Sequence, residues 1–117
     1  MTEQTHITVT EDNGIRIVRF ADRKILEECT ISEIGDELAR LVESVEGIKL
    51  LLSFENVDHL SSAALGMLIT LNQKVGERNG RLILADIQAN IFQVFRITRL
   101  NKLFEICESA KVAMSKF

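Results

Sequence analysis

The chain of 117 residues carries 17 acidic and 14 basic side chains, a formal net charge of −3, and 46% of its residues are hydrophobic. This length and composition are typical of one soluble globular domain, and the slightly acidic balance disfavours nucleic acid or anionic lipid as a direct partner. No apolar run is long enough for membrane insertion, and no secretory signal is recognisable. We therefore expect a single cytoplasmic domain over residues 1–117.

A β-hairpin is predicted near the amino terminus. Apolar and polar residues alternate in Ile7–Thr10 and again in Ile15–Phe20. Asn13 and Gly14 stand between the two runs, and this dipeptide favours the tight turn of a two-stranded hairpin. Residues 21–28 show no period, so we expect a loop there.

The first helix is predicted to begin at Thr30. Thr30 and Glu33 have the spacing of a capping box, in which each side chain bonds the other residue's backbone N–H. Gly47 is placed to end the helix with a positive φ angle. The apolar stripe of this helix is formed by Ile31, Ile34, Leu38, Leu41, Val42 and Val45.

The rest of the chain alternates apolar strands with helices. Short apolar runs at Lys49–Phe54 and Arg81–Asp86 are typical of buried strands. Further elements are a helix over Leu65–Val75 stopped by Asn79 and Gly80, a short helix marked by Ile91, Val94 and Phe95, an edge strand at Leu103–Ile106, and a last helix capped by Ser109 and ending near Phe117. The pattern predicts an α/β domain with a mixed sheet of four to five strands, an N-terminal hairpin and three to four helices.

Catalytic and metal chemistry have little support in this chain. Cys29 and Cys107 lie far apart and lack metal-ligand spacing, so we expect two buried, reduced thiols. His59 lies near two serines, but the Gly-x-Ser-x-Gly elbow of a hydrolase is absent and a histidine in a turn or loop is the favoured interpretation. We expect no enzymatic activity, no cofactor and no metal.

Two serines, Ser61 and Ser62, stand where a strand leads into a helix. The first turn of a helix has free N–H groups and the positive end of the helix dipole, which favour an anion such as a phosphate on a hydroxyl. The alternative is helix capping, in which Ser61 is the N-cap and Ser62 lies in the first turn with its hydroxyl towards solvent. The residues alone leave both roles open.

The segment Leu60-Ser61-Ser62-Ala63-Ala64-Leu65-Gly66-Met67-Leu68 resembles the signature of STAS domains, in particular bacterial anti-sigma factor antagonists. Gly80-Arg81-Leu82 is similar to the glycine before the family's fourth strand, and residues 94–106 are similar to its closing segment. The resemblance spans essentially the whole chain and implies the same order of elements. Ser61 stands where the family has Asp, and Ala63 stands where it has Ser or Thr.

The resemblance implies a phosphorylation switch. Counting back from Leu65-Gly66 places the phosphoacceptor at Ser62. The implied partners are a protein that is both serine kinase and anti-sigma factor, which supplies ATP and Mg²⁺, and a phosphatase that resets the switch. The implied docking face comprises Arg23, Ser61, Ser62, Ala63, Ala64 and Met67. For the small residues, close packing of the helix on the sheet is an equal alternative, and core packing is favoured for Met67.

Two other functions remain open. The same face could bind a transporter or a signalling complex constitutively, as an adaptor that needs no phosphorylation. The helix N-terminus could also bind a small anionic ligand.

Overall fold

The computed structural model describes residues 6–117, which form one α/β domain. Asn13 and Gly14 have φ angles of +54° and +78°, as the predicted tight turn requires. In chain order the elements are β1 (Ile7–Asp12), β2 (Ile15–Phe20), β3 (Lys24–Ile25), α1 (Glu28–Ser44), β4 (Lys49–Ser53), β5 (His59–Leu60), α2 (Ser62–Glu77), β6 (Arg81–Ala85), α3 (Ala89–Ile97), a 3-10 helix (Leu100–Lys102), β7 (Glu105–Cys107) and α4 (Ala110–Met114).

The main sheet has five strands in the order β1-β2-β4-β6-β7. The β1–β2 pair is antiparallel and joins Ile7 to Phe20, whereas every other neighbouring pair is parallel. The predicted mixed sheet with an N-terminal hairpin is therefore confirmed. Strands β4 and β6 lie in the middle, which explains their unbroken apolar sequences.

The helices cover the two faces of this sheet unequally. One face packs against α1, α2 and α3 and contains most of the core, because side chains alternate across each strand and Leu50, Leu52 and Leu84 point that way. The opposite face presents Leu51 and Ile83 to the short helix α4. Ser109 caps α4 as predicted, since its hydroxyl oxygen accepts a hydrogen bond from Val112 N at 3.2 Å.

Two predictions around α1 are wrong. Residues 21–28 are not merely a loop, because Lys24–Ile25 forms β3 and the helix already begins at Glu28. The capping box at Thr30 is absent, since Ile31 N donates to Glu27 O at 3.0 Å and so places the first helical hydrogen bond upstream of Thr30. The pairing of β3 with β5 fixes the chain just before the helix and thereby sets its first turn.

The two cysteines are free, but they are not the buried thiols that we predicted. Cys29 is exposed because it lies in the first turn of α1, on the side opposite the apolar stripe. Cys107 is half-buried at the end of the edge strand β7.

In the turn between α2 and β6, Gly80 approaches Ile48, the residue before β4, very closely. The backbone N–H of Gly80 donates a hydrogen bond to Val75 O at 2.8 Å, and Arg81 N donates to Ile48 O at 2.8 Å. A Cβ atom at Gly80 would lie 2.6 Å from Ile48 O and 3.0 Å from Val75 Cγ1. Only glycine therefore permits the backbone approach that aligns β6 with β4.

His6 connects three parts of the chain. Its Nδ1 atom lies 2.6 Å from Asp22 Oδ2, and its Nε2 atom lies 2.7 Å from Glu33 Oε1 on α1. Both nitrogens can donate only in the charged imidazolium. The hydrogen bond to Glu33, followed by that to Asp22, raises the pKa of His6 above its usual 6.5.

Replacing His6 with Gln is expected to make stability less dependent on pH. A raised pKa in the folded state means that the stabilisation is fully present below pH 6.5 and is lost as the pH rises through the folded-state pKa. The free energy of unfolding of wild type should exceed that of His6→Gln by about 1 kcal/mol at pH 5.5, with a smaller difference at pH 8.5. Urea denaturation at both pH values measures this, and a difference that does not change with pH would contradict it.

Candidate functional site

A small two-stranded sheet positions the amino terminus of α2. Strands β3 and β5 pair in parallel, with Lys24 opposite His59 and Ile25 opposite Leu60. The pairing continues on both sides, because Asp58 N donates to the carbonyl of Arg23 at 2.8 Å and Ser61 N donates to Ile25 O at 3.1 Å. The segment that precedes α1 therefore holds the segment that precedes α2.

The two serines have different structural roles. Ser61 is the N-cap of α2 in an extended conformation, and its hydroxyl oxygen accepts a hydrogen bond from Ala64 N at 3.2 Å. Ser62 is the first residue of the helix and is exposed. The capping role thus falls to Ser61, and the hydroxyl of Ser62 is available at a helix N-terminus.

Alanine substitutions should separate the two serines by their effects on stability. Ser61→Ala removes the cap and is expected to lower the free energy of unfolding by about 1 kcal/mol. Ser62→Ala, at an exposed position, is expected to change it by less than about 0.5 kcal/mol. Chemical denaturation of both variants measures the difference, and equal losses would show that Ser61 is not the effective cap.

A charged network lies beside the serines. Arg23 Nη2 donates to Asp58 Oδ2 at 2.9 Å, and His59 Nδ1 lies 2.7 Å from Asp58 Oδ1. The hydrogen bond from His59, and next that from Arg23, lower the pKa of the Asp58 carboxyl below its usual value. Asn90 on α3 also donates to Asp58 O at 3.0 Å. The network fixes the loop before β5 and leaves the guanidinium of Arg23 largely exposed.

The predicted docking residues divide into exposed and packed groups. Ser62 and Ala63 are exposed, Arg23 is exposed apart from its contact with Asp58, and Ser61 is half-buried. Ala64 is completely buried, so its methyl group belongs to the core and cannot contact a partner. Met67 is half-buried against the core and faces Gly35 of α1, whose Cβ position would lie 3.1 Å from Met67 Cγ. Gly66, one turn after Ser62, is exposed with open space beside it.

Some apolar groups around this site carry no functional signal in the sequence. Leu26 is 47% exposed and directly follows Ile25, the residue whose carbonyl binds Ser61 N. A cavity of about 160 Å³ beside β5 and the first turn of α2 is lined by Leu60, Leu65 and Val94, among others. Leu26 lies in a segment without period, so only its neighbourhood in space marks it as part of this surface.

The site combines polar, small and apolar groups. An exposed hydroxyl, small side chains and apolar groups lie together at a helix N-terminus, next to a paired Asp–His–Arg network. Within residues 6–117, no three His, Cys, Asp or Glu side chains are placed to hold one metal ion. None of the helices in that described part is long and apolar enough to cross a membrane.

Fold and site together define a small α/β domain with a serine at the start of its second helix. The family model of the STAS domain matches residues 6–113. The chain therefore belongs to the STAS domain family.

Known relatives agree with this assignment. BtrV of Bordetella bronchiseptica, a proposed anti-sigma factor antagonist, is 23% identical over 93 residues, which cover 80% of this chain and 79% of BtrV. An anti-sigma factor antagonist (STAS) domain protein from Planctomyces limnophilus superposes with a TM-score of 0.85 at 16% identity, over 94% of this chain and 96% of that one. The phosphorylated form of SpoIIAA from Bacillus gives a TM-score of 0.69 at 13% identity, over 94% and 97% of the two chains.

Proposed function

We propose that this protein is an anti-sigma factor antagonist that binds a serine kinase/anti-sigma factor and is released from it by phosphorylation at Ser62. The observation that carries the proposal is the exposed hydroxyl of Ser62 at the first position of α2, with the capping role taken by Ser61. The names of BtrV and of the Planctomyces limnophilus protein support the same class of function.

The local electrostatics are compatible with a phosphate on Ser62. A phosphoserine adds about −1.5 to −2 charges, which the positive end of the α2 dipole stabilises. Ser61 is neutral, so the cap places no negative charge next to the modified residue. The nearby carboxylate of Asp58 is already paired with Arg23 and His59. The fold can therefore accept the phosphate without rearranging.

The proposed docking face consists of Arg23, Leu26, Ser62, Ala63 and Gly66, and it combines a cation with small and apolar groups. Ala63 and Gly66 leave little side chain on the exposed side of the first turns of α2. A partner backbone can therefore approach the helix closely, and Leu26 offers an apolar contact beside it. A kinase active site that receives Ser62 requires this kind of open surface.

The direct test is phosphorylation by a candidate kinase/anti-sigma factor from the same organism, with ATP and Mg²⁺. We expect one phosphate per chain on Ser62, located by intact mass and peptide fragmentation. Ser62→Ala should accept none, whereas Ser61→Ala should still be modified. Phosphate on Ser61, or no phosphate with a partner that binds the protein, would contradict the proposed switch.

A constitutive adaptor is the second candidate function. It is favoured by Ser61 and Ala63, which replace the Asp and the Ser or Thr of the family signature. In that case wild type and Ser62→Ala bind the partner equally in the presence and absence of ATP. The phosphorylation experiment separates the two candidates.

Gly66→Ala is expected to weaken partner binding without harming the fold. An added Cβ meets nothing within 4 Å, and alanine favours a helix by about 1 kcal/mol over glycine, so the free energy of unfolding should rise. The new methyl group would nevertheless stand on the docking face, and we expect about a tenfold loss of affinity by titration calorimetry. Gly76→Ala is the matched control, because it lies in equally open space farther along α2. Equal affinities of the two variants would exclude Gly66 from the docking face.

A further inference from the structure

A second cavity, of about 480 Å³, lies at the carboxyl ends of β6 and β7. Its wall includes Ile87, which follows β6, then Ala89 and Phe92 of α3, and Ile106 of β7. It lies between the first turn of α3 and the short strand β7, since residues of both elements line it. The carboxyl ends of parallel strands are where open α/β sheets bind ligands, and the volume is in the range of small-molecule sites.

The chemistry of the lining selects a class of ligand. Ile87, Phe92 and Ile106 supply an apolar wall, and Asn101 and Glu108 stand at the exposed rim. Among the described residues that line the cavity, Glu108 is the only one that is charged at neutral pH. Within residues 6–117 Glu108, which directly follows β7, forms no salt bridge, in contrast to Glu105 on that strand, which pairs with Arg81. An apolar wall beside an unpaired carboxylate is complementary to an apolar molecule with a positive charge at one end.

We propose that this cavity binds a small amphiphilic amine, with its apolar body against Ile87, Phe92 and Ile106 and its ammonium group paired with Glu108. None of these residues belongs to the docking face around Ser62. The proposal therefore stands independently of the phosphorylation switch.

The test uses three probes that share one apolar body: 4-phenylbutylamine, 4-phenylbutanol and 4-phenylbutyrate. Each is titrated into the ¹⁵N-labelled full chain and followed by NMR. We expect shifts that cluster at Ile106, Cys107 and Glu108, with the amine about three- to fivefold tighter than the alcohol and the carboxylate weakest. The half-buried thiol of Cys107 gives a second readout in the Cys29→Ser variant, since the bound amine should slow its alkylation by iodoacetamide.

Two variants of the cavity and one charge-matched control make the test decisive. Glu108→Gln should bring the amine to within about twofold of the alcohol, whereas Glu77→Gln, which removes the same charge from the end of α2, should leave the preference unchanged. Ala89→Leu should fill the cavity and weaken all three probes by about fivefold or more. The proposal is overturned if the shifts lie elsewhere, if amine and alcohol bind alike, or if Glu108→Gln keeps the preference for the amine.

Discussion

Phosphorylation of Ser62 is expected to weaken the complex with the kinase/anti-sigma factor by about 100-fold. The partner surface that accepts the neutral hydroxyl must approach closely over Ala63 and Gly66, so a dianion there is both too large and partly desolvated. If the phosphate makes the binding free energy less favourable by about 3 kcal/mol, the dissociation constant rises by roughly two orders of magnitude. The fold is expected to persist, because the α2 dipole stabilises the added charge. The switch would therefore act through repulsion at the interface and leave the conformation unchanged.

Titration calorimetry with the unmodified and the enzymatically phosphorylated protein measures this effect. Ser62→Asp carries a smaller negative charge than phosphoserine and should lose about tenfold in affinity for the partner. Ser62→Ala should bind the partner with an affinity within about threefold of wild type. Circular dichroism serves as the control that both charged forms remain folded. If the phosphorylated protein binds as tightly as the unmodified one, the switch is wrong and the adaptor function gains support.

Gly80→Ala is expected to be among the most destabilising single methyl additions in this domain. The new Cβ would lie 2.6 Å from Ile48 O, a backbone atom that is already held at 2.8 Å by Arg81 N. To relieve this steric clash, the start of β4 or the end of α2 must move. Strand β4 lies in the middle of the sheet, and α2 packs on its face. We expect a loss of about 2–4 kcal/mol in the free energy of unfolding and a melting midpoint lower by about 10 °C.

Gly76→Ala provides the comparison, since its Cβ would meet nothing within 4 Å. It lies inside α2, where alanine is favoured over glycine, so the free energy of unfolding should rise by about 0.5–1 kcal/mol. The two substitutions add the same methyl group four residues apart and are expected to have opposite signs. Thermal and urea denaturation measure both, and a small effect at Gly80 would show that the strand–helix junction is more adaptable than its geometry implies.

The candidate site was only partly accessible from the sequence. Ser61 as the cap and Ser62 as the exposed first-turn residue follow from their order before an apolar helix, and the structure has this arrangement. The burial of Ala64 and the exposure of Leu26 could not be predicted in the same way. Whether Ala64 is buried and Leu26 exposed depends on which residues the fold packs against them. A single small or apolar residue has no periodic pattern from which this could be predicted.

Local physical chemistry, read from the sequence alone, determined most of the element types. Alternating residues and an Asn-Gly turn specify the hairpin, apolar runs specify β4 and β6, and Ser109 specifies the start of α4. The tertiary structure alone decided the pairing of β3 with β5, the ion pair between Arg23 and Asp58, and the start of α1 at Glu28. It also decided the cavity beside Glu108. These features join residues that are distant in sequence, and their energies arise only once the sheet has brought them together.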